Sequence, residues 1–254
     1  MTWNEQVFRY CERAQDGAFW AEPLNALSNA GFLVVAGMGA WRLWRQQRPT
    51  PVCERPGDDP MCTVLVALVA SIGIGSFLFH TFASRWARLA DVVPIGLFML
   101  VYLVVALRIF LRVDWGRIAV AVGLFLAASA TAAAITCPTR LVGLTTYARE
   151  PCLNGTMSYA PALATLLLVG ALLHTRHPAG MSLLVAAGLF ALAMLLRWSD
   201  KAACPWTMLL GQPRGTHALW HLVNAATLHV LLRAAIDHRF HARDVVRARL
   251  GRCL

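Results

Sequence analysis

The chain has 254 residues, of which 58% (about 147) are hydrophobic and only 14% charged, where a soluble domain carries about a quarter charged. A bilayer-spanning helix needs about 20 mostly apolar residues, so seven spans would use about 140 and nearly exhaust the supply. That excludes a soluble enzyme, a disordered chain and a small disulfide scaffold. The net charge of +10 comes almost wholly from arginine, with Lys201 the sole lysine. These arginines lie between apolar runs, where they orient helices and meet anionic lipid. No basic helix with interleaved aromatics exists outside those runs, so nucleic acid is not an expected partner.

Residues 1–23 form a polar and aromatic N-terminal segment without the basic start and apolar core of a signal peptide. Seven apolar runs follow, at 24–45, 62–82, 88–111, 116–136, 157–174, 180–198 and 216–236. Proline, glycine and charge mark the loops between them, including a long stretch at 137–156 and another at 199–215. The predicted fold is an all-α integral membrane bundle of seven transmembrane helices over residues 24–236, followed by a basic tail at 237–254. Placing the C-terminus inside puts fourteen basic residues on that side against nine on the other. The predicted topology is therefore N-terminus outside, C-terminus inside, with a cytoplasmic tail. Cys11, Cys137, Cys152 and Cys204 then share the outer side, where oxidation permits three pairings. Cys53, Cys62 and Cys253 lie inside.

Ionisable groups within spans are costly and mark function by default. Ser76 and His80 are one turn apart on the second helix, and His217 and His221 one turn apart on the seventh. Asp91 lies about one turn into the third helix. Alternating helix directions bring all five to one level near the outer face. Asn224 continues the seventh-helix stripe, and Asn25, Ser28 and Asn29 open the first helix. Two histidines at i and i+4 chelate one metal. A third completes a three-histidine set with an open position, the plan of a catalytic zinc site. A zinc-bound water would be the nucleophile, Asp91 its general base, and Ser76 a donor to the water or the developing oxyanion. His229 lies two turns deeper and off the stripe and reads as a packing residue. His174 and His177 read as interfacial, and His238 and His241 as part of the tail. A lone helix-seven lysine, needed for a retinal pigment, is missing, because Lys201 falls in the 199–215 loop. Haem ligation by intramembrane histidines is a further alternative, testable by a Soret band.

Several stretches resemble the alkaline ceramidase family, part of a wider superfamily of membrane hydrolases that includes the adiponectin receptors. These are Gly73-Ile74-Gly75-Ser76-Phe77-Leu78-Phe79-His80, Leu89-Ala90-Asp91-Val92-Val93-Pro94 and His217-Ala218-Leu219-Trp220-His221. Tyr10-Cys11-Glu12-Arg13 and Phe19-Trp20-Ala21-Glu22-Pro23-Leu24-Asn25-Ala26-Leu27-Ser28-Asn29 resemble its opening signature, in a bacterial form. The resemblance implies zinc on His80, His217 and His221, with Ser76 and Asp91 beside the attacking water. It implies hydrolysis of the N-acyl amide bond of ceramide, a lipid substrate drawn from the bilayer, giving a sphingoid base and a fatty acid. It also implies calcium (Ca2+) in the N-terminal segment beside the zinc (Zn2+). Glu12 and Glu22 match two calcium-ligand positions, while Arg9 and Ala14 stand where the family has Asp and Asn. It pairs Cys11 with Cys204, leaving Cys137 and Cys152 as a separate pair. A bacterial inner-membrane location with the site facing the periplasm follows from the same resemblance. Other readings of the same set are a hydrolase of another acyl lipid and a lipid-binding receptor or sensor.

Overall fold

The computed structural model describes residues 2–13, 16–47, 60–140 and 147–238. Seven helices in it are long and apolar enough to cross a bilayer: α1 Pro23–Gln46, α2 Pro60–Phe82, α3 Arg85–Phe110, α4 Trp115–Ala134, α5 Cys152–Leu173, α6 Ala179–Trp206 and α7 His217–Asp237. The chain is thus a multi-pass membrane protein. Cys53, Cys253, Ala14, His241 and nearly all of the basic tail lie outside the described residues.

Two loops differ from the sequence reading. The 137–156 stretch contains an antiparallel hairpin, β1 Thr136–Arg140 with β2 Tyr147–Pro151. Helix α5 already begins at Cys152, across a kink where Leu153, Asn154 and Gly155 take positive φ. Polar Asn154, Thr156 and Ser158 hide this first turn from a hydropathy pattern. Helix α6 likewise runs past residue 198, so Lys201 sits on a helix and pairs with Glu150 at 3.2 Å. The apolar run breaks there because Asp200 is polar, yet its carboxylate is buried and accepts three backbone N–H bonds. A short hairpin, β3 Met208–Leu209 with β4 Gln212–Pro213, leads into α7.

The core runs along α2, α6 and α7, through Leu65, Val69, Leu183, Ala186, Leu232 and Ala235, each almost fully buried. Val34, Val120, Leu124 and Leu168 face outward and are exposed, as lipid-facing positions should be in a solvent that is itself apolar. At one end of the bundle Arg42 of α1 grips Asp237 of α7 with two bonds of 2.6 and 2.7 Å.

One close approach places the catalytic candidates. Pro94 lies inside α3 and has no N–H for the carbonyl of Ala90. That carbonyl turns against Gly75 of α2, where an added methyl would overlap it. Gly75 precedes Ser76 and Ala90 precedes Asp91, so this contact sets the two functional groups side by side.

The N-terminal segment packs over the α2–α3 turn. Val7 N–H donates to the Ala83 carbonyl at 2.6 Å and Arg85 N–H to the Glu5 carbonyl at 3.1 Å. A Cys11–Cys204 disulfide ties the segment to the end of α6, and Cys137–Cys152 ties β1 to the start of α5. The buried Cys62 thiol donates to the Ala235 carbonyl.

Non-reducing peptide mapping should join Cys11 to Cys204 and Cys137 to Cys152; free thiols at both members of a pair would contradict the fold at that point. Gly75→Val should lower the melting temperature in detergent, since overpacking typically costs about 1–3 kcal/mol. Gly37→Ala, where an added methyl meets nothing, should leave it unchanged.

Candidate metal centre

Three imidazoles meet at the end of the bundle covered by the N-terminal segment. His80 comes from the last turn of α2, and His217 and His221 from the first two turns of α7. One ligand atom from each lies within 4.8 Å of the others. Ring centroids are 4.8 Å apart for His80 and His221, 5.1 Å for His80 and His217, and 4.5 Å for His217 and His221. All three rings are buried to 1% exposure or less.

The far side of two of the rings is held by hydrogen bonds, while His217 Nδ1 is buried without a partner. His80 Nδ1 bonds Glu22 Oε2 at 2.6 Å, and His221 Nδ1 bonds Ser28 Oγ at 2.7 Å. The His217 ring is stacked between Tyr10, with centroids 3.7 Å apart, and Trp220 at 5.2 Å. His80 Nε2, by contrast, is buried without a hydrogen-bond partner, and so is Asp91 Oδ1. Unsatisfied polar atoms in an apolar interior are expensive, and a divalent cation with a water would satisfy both. A carboxylate on the remote nitrogen is the usual support of a metal-bound imidazole, because it fixes the tautomer and raises ligand basicity.

A family model described as Ceramidase matches residues 8–244. The chain belongs to the ceramidase family. No curated protein matches it.

Within this ceramidase-family site, Ser76 Oγ lies 3.5 Å from His221 Nε2, and Asp91 is buried beside it through the Gly75–Ala90 contact. Ser76, His80, Asp91, His217 and His221 are therefore brought together. Asn224 sits one turn deeper, on the wall of an apolar cleft. Asn25 Nδ2 donates to Glu22 at 3.0 Å. His229 and His238 line a separate cleft with Arg233 and Asp237 at the opposite end, and His174 is exposed.

Glu12 and Glu22 are near the histidines, but their oxygens are already engaged. Glu12 accepts from the backbone N–H groups of Leu24 and Asn25 and from Arg214, at 2.8–2.9 Å. Glu22 accepts from Arg13 Nε at 2.6 Å in addition to His80 and Asn25. The Arg13 guanidinium, with its side chain 0% exposed, also donates to the carbonyls of Asp16, Ala18, His80 and Thr81 at 2.7–3.1 Å. So placed, it meets the acceptors that a calcium ion would require. The described residues as arranged do not fit calcium. Burial alone would raise the Glu22 carboxyl, but the His80 ring and the donors from His80, Asn25 and Arg13 outweigh it and hold it below the usual carboxylate range. Burial pushes the Tyr10 phenol up to about 12, so the ring stacked on His217 stays neutral.

Sequence reasoning missed three supports. Asp200 Oδ1 accepts from the N–H groups of Thr216 and His217 at 2.8 and 2.9 Å, and Oδ2 from Cys11 at 3.1 Å. It thereby caps the helix that carries two of the histidines. Its signal is an acid that follows directly on a run of spanning composition, at the point where hydropathy alone ends the helix. Arg13 and the Glu22–His80 bond join residues far apart in sequence, and no local pattern announces them.

Adding calcium or EGTA should leave the melting temperature of the purified protein unchanged. Arg13→Ala should lower it, because breaking a buried ion pair costs about 3–5 kcal/mol. A calcium-dependent rise in the unaltered protein would contradict this account.

Proposed function

We propose that the chain is a zinc-dependent intramembrane amidase that cleaves the N-acyl bond of ceramide or a closely related acyl lipid. The observation that carries this reading is the buried trio of His80, His217 and His221, with an unpaired His80 nitrogen beside the unpaired oxygen of Asp91. The family match supports the substrate class. The same trio would hold the zinc, with Glu22 and Ser28 fixing the ring orientations from behind.

Zinc in such a site acts as a Lewis acid and lowers the pKa of water to about 7. The residues supply the rest. Asp91 holds the attacking water and takes its proton. Ser76 donates a hydrogen bond to the oxyanion at the attacked carbonyl. Asp91 then returns the proton to the amine nitrogen. A C–O bond forms, the C–N bond breaks, and one water is consumed for each fatty acid and amine released.

Substrate access is supported by an apolar cleft lined by Ile72, Ile95, Phe98, Tyr102, Leu166 and Leu228. Ile72 is one turn below Ser76 and Ile95 one turn below Asp91, so the cleft continues on the same helix faces, about 6 Å deeper into the bundle. An acyl chain placed there puts its carbonyl at the level of the histidines. A bacterial inner membrane with the site toward the periplasm, the N-terminus outside and the C-terminus inside, completes the reading. The outward placement accords with the Cys11–Cys204 and Cys137–Cys152 disulfides around the same end.

Three measurements test it. Metal analysis after chelator-free purification should find about one zinc per chain; none would remove the mechanism. Labelled ceramide in detergent should be hydrolysed, and His217→Ala should abolish turnover; binding without turnover would favour a receptor. Asp91→Asn should retain zinc and lose about 10²–10⁴ in kcat, the usual contribution of a general base; wild-type turnover would refute its role.

A further inference from the structure

A second cleft, of about 140 Å³, includes Asp91 itself and the Tyr10 ring that stacks on His217. It shares Tyr159 with the apolar cleft, so the two adjoin there. Their charge differs. The second cleft is lined by the guanidinium-bearing Arg9, Arg88 and Arg197, with Asp91 as its one carboxylate.

These arginines are not spent on ion pairs. Among the described residues, Arg13, Arg42, Arg85, Arg117, Arg214 and Arg233 each have a carboxylate partner. Arg9, Arg88 and Arg197 have none within bonding distance among the described residues, although the charge of Asp91 reaches Arg88 and Arg197. Glu150, whose charge reaches Arg9, is taken by Lys201. Arg197 is held in place by aromatic faces, with its guanidinium carbon 5.3–5.6 Å from the ring centres of Tyr10, Tyr159 and Trp220. It donates one bond to Tyr10 Oη at 3.1 Å, and its buried Nε has no partner. Burial and the neighbouring charges of Arg88 and Arg197 pull the Arg9 guanidinium below its usual range. Three like charges around one small cleft repel, and an anion between them would relieve both the repulsion and the unpaired donor.

We propose that this cleft binds an anionic headgroup, so that the favoured substrate is an N-acyl lipid carrying a phosphate or carboxylate on the amine side of its amide. The proposal rests on the hydrolase reading for its reaction, and on the arginine cleft alone for its ligand. With the acyl chain in the apolar cleft and the anion among the arginines, the amide spans the gap between them, beside Asp91 and the histidines. Neutral ceramide would fill the first cleft and leave the second with three guanidiniums against the single carboxylate of Asp91.

The test compares ceramide, ceramide 1-phosphate and an N-acyl serine in neutral-detergent micelles. Unaltered protein should show kcat/KM at least about tenfold higher for the two anionic amides than for ceramide, a step typical of one charge-assisted contact pair. In Arg9→Gln and Arg88→Gln that ratio should fall about tenfold, mostly through KM. Equal ratios in all three proteins would overturn the proposal while leaving the hydrolase reading intact. A second measurement needs no turnover: dodecyl phosphate should raise the melting temperature more than dodecanol does, and the difference should vanish in the two variants. If that selective shift appears and no amide is cleaved, the ligand assignment stands and the hydrolase reading fails. No selective shift, or an equal shift from inorganic phosphate alone, would overturn the lipid headgroup.

Discussion

The bond between Glu22 and His80 is the constraint on which the site depends. It brings a carboxylate from the start of the first helix against an imidazole at the end of the second, both almost wholly shielded from solvent. A lone buried carboxylate would be intolerable there. It is compensated by the Arg13 guanidinium, which also ties the N-terminal segment to the carbonyls that close α2. One buried network therefore does two things. It aims the free nitrogen of His80 at its two partners, and it locks the N-terminal segment over the site as a cap. The Cys11–Cys204 disulfide and the Asp200 carboxylate hold the other edge of that cap against α6 and α7.

A guanidinium in this position changes what the cap needs from solution. Arg13 is covalently part of the chain, so the bond it makes behind His80, through Glu22, needs no captured ion. The aromatic rings of Tyr10 and Trp220 fix the plane of the His217 ring, where hydrogen bonds hold the other two histidines.

The clefts divide the site by polarity. Deeper in the bundle lies a largely apolar cleft, whose polar groups are the Asn224 amide and the hydroxyls of Tyr102, Tyr159, Thr165 and Thr227. The other cleft carries three guanidiniums and Asp91. The two clefts share Tyr159, so a largely apolar space and one carrying three guanidiniums adjoin in one bundle.

Much of this was legible in the residues themselves. Seven apolar runs specify seven helices because a bilayer offers no partner for exposed backbone. The spacings of Ser76 with His80 and of His217 with His221 specify shared faces, because 3.6 residues make a turn. Charges cut the reading short elsewhere: the run ending at 198 concealed Asp200, whose polarity marks a buried cap and not a loop. Glu22 resembled a ligand for calcium by position, yet its partners are Arg13 and His80, which only folding brings within reach. Periodicity along a helix is written locally and survives in the chain. Contacts across 58 residues, as for Glu22 and His80, or 189, as for Cys11 and Asp200, depend on how whole helices pack, and that is decided by the summed fit of many small interfaces such as Gly75 against Ala90.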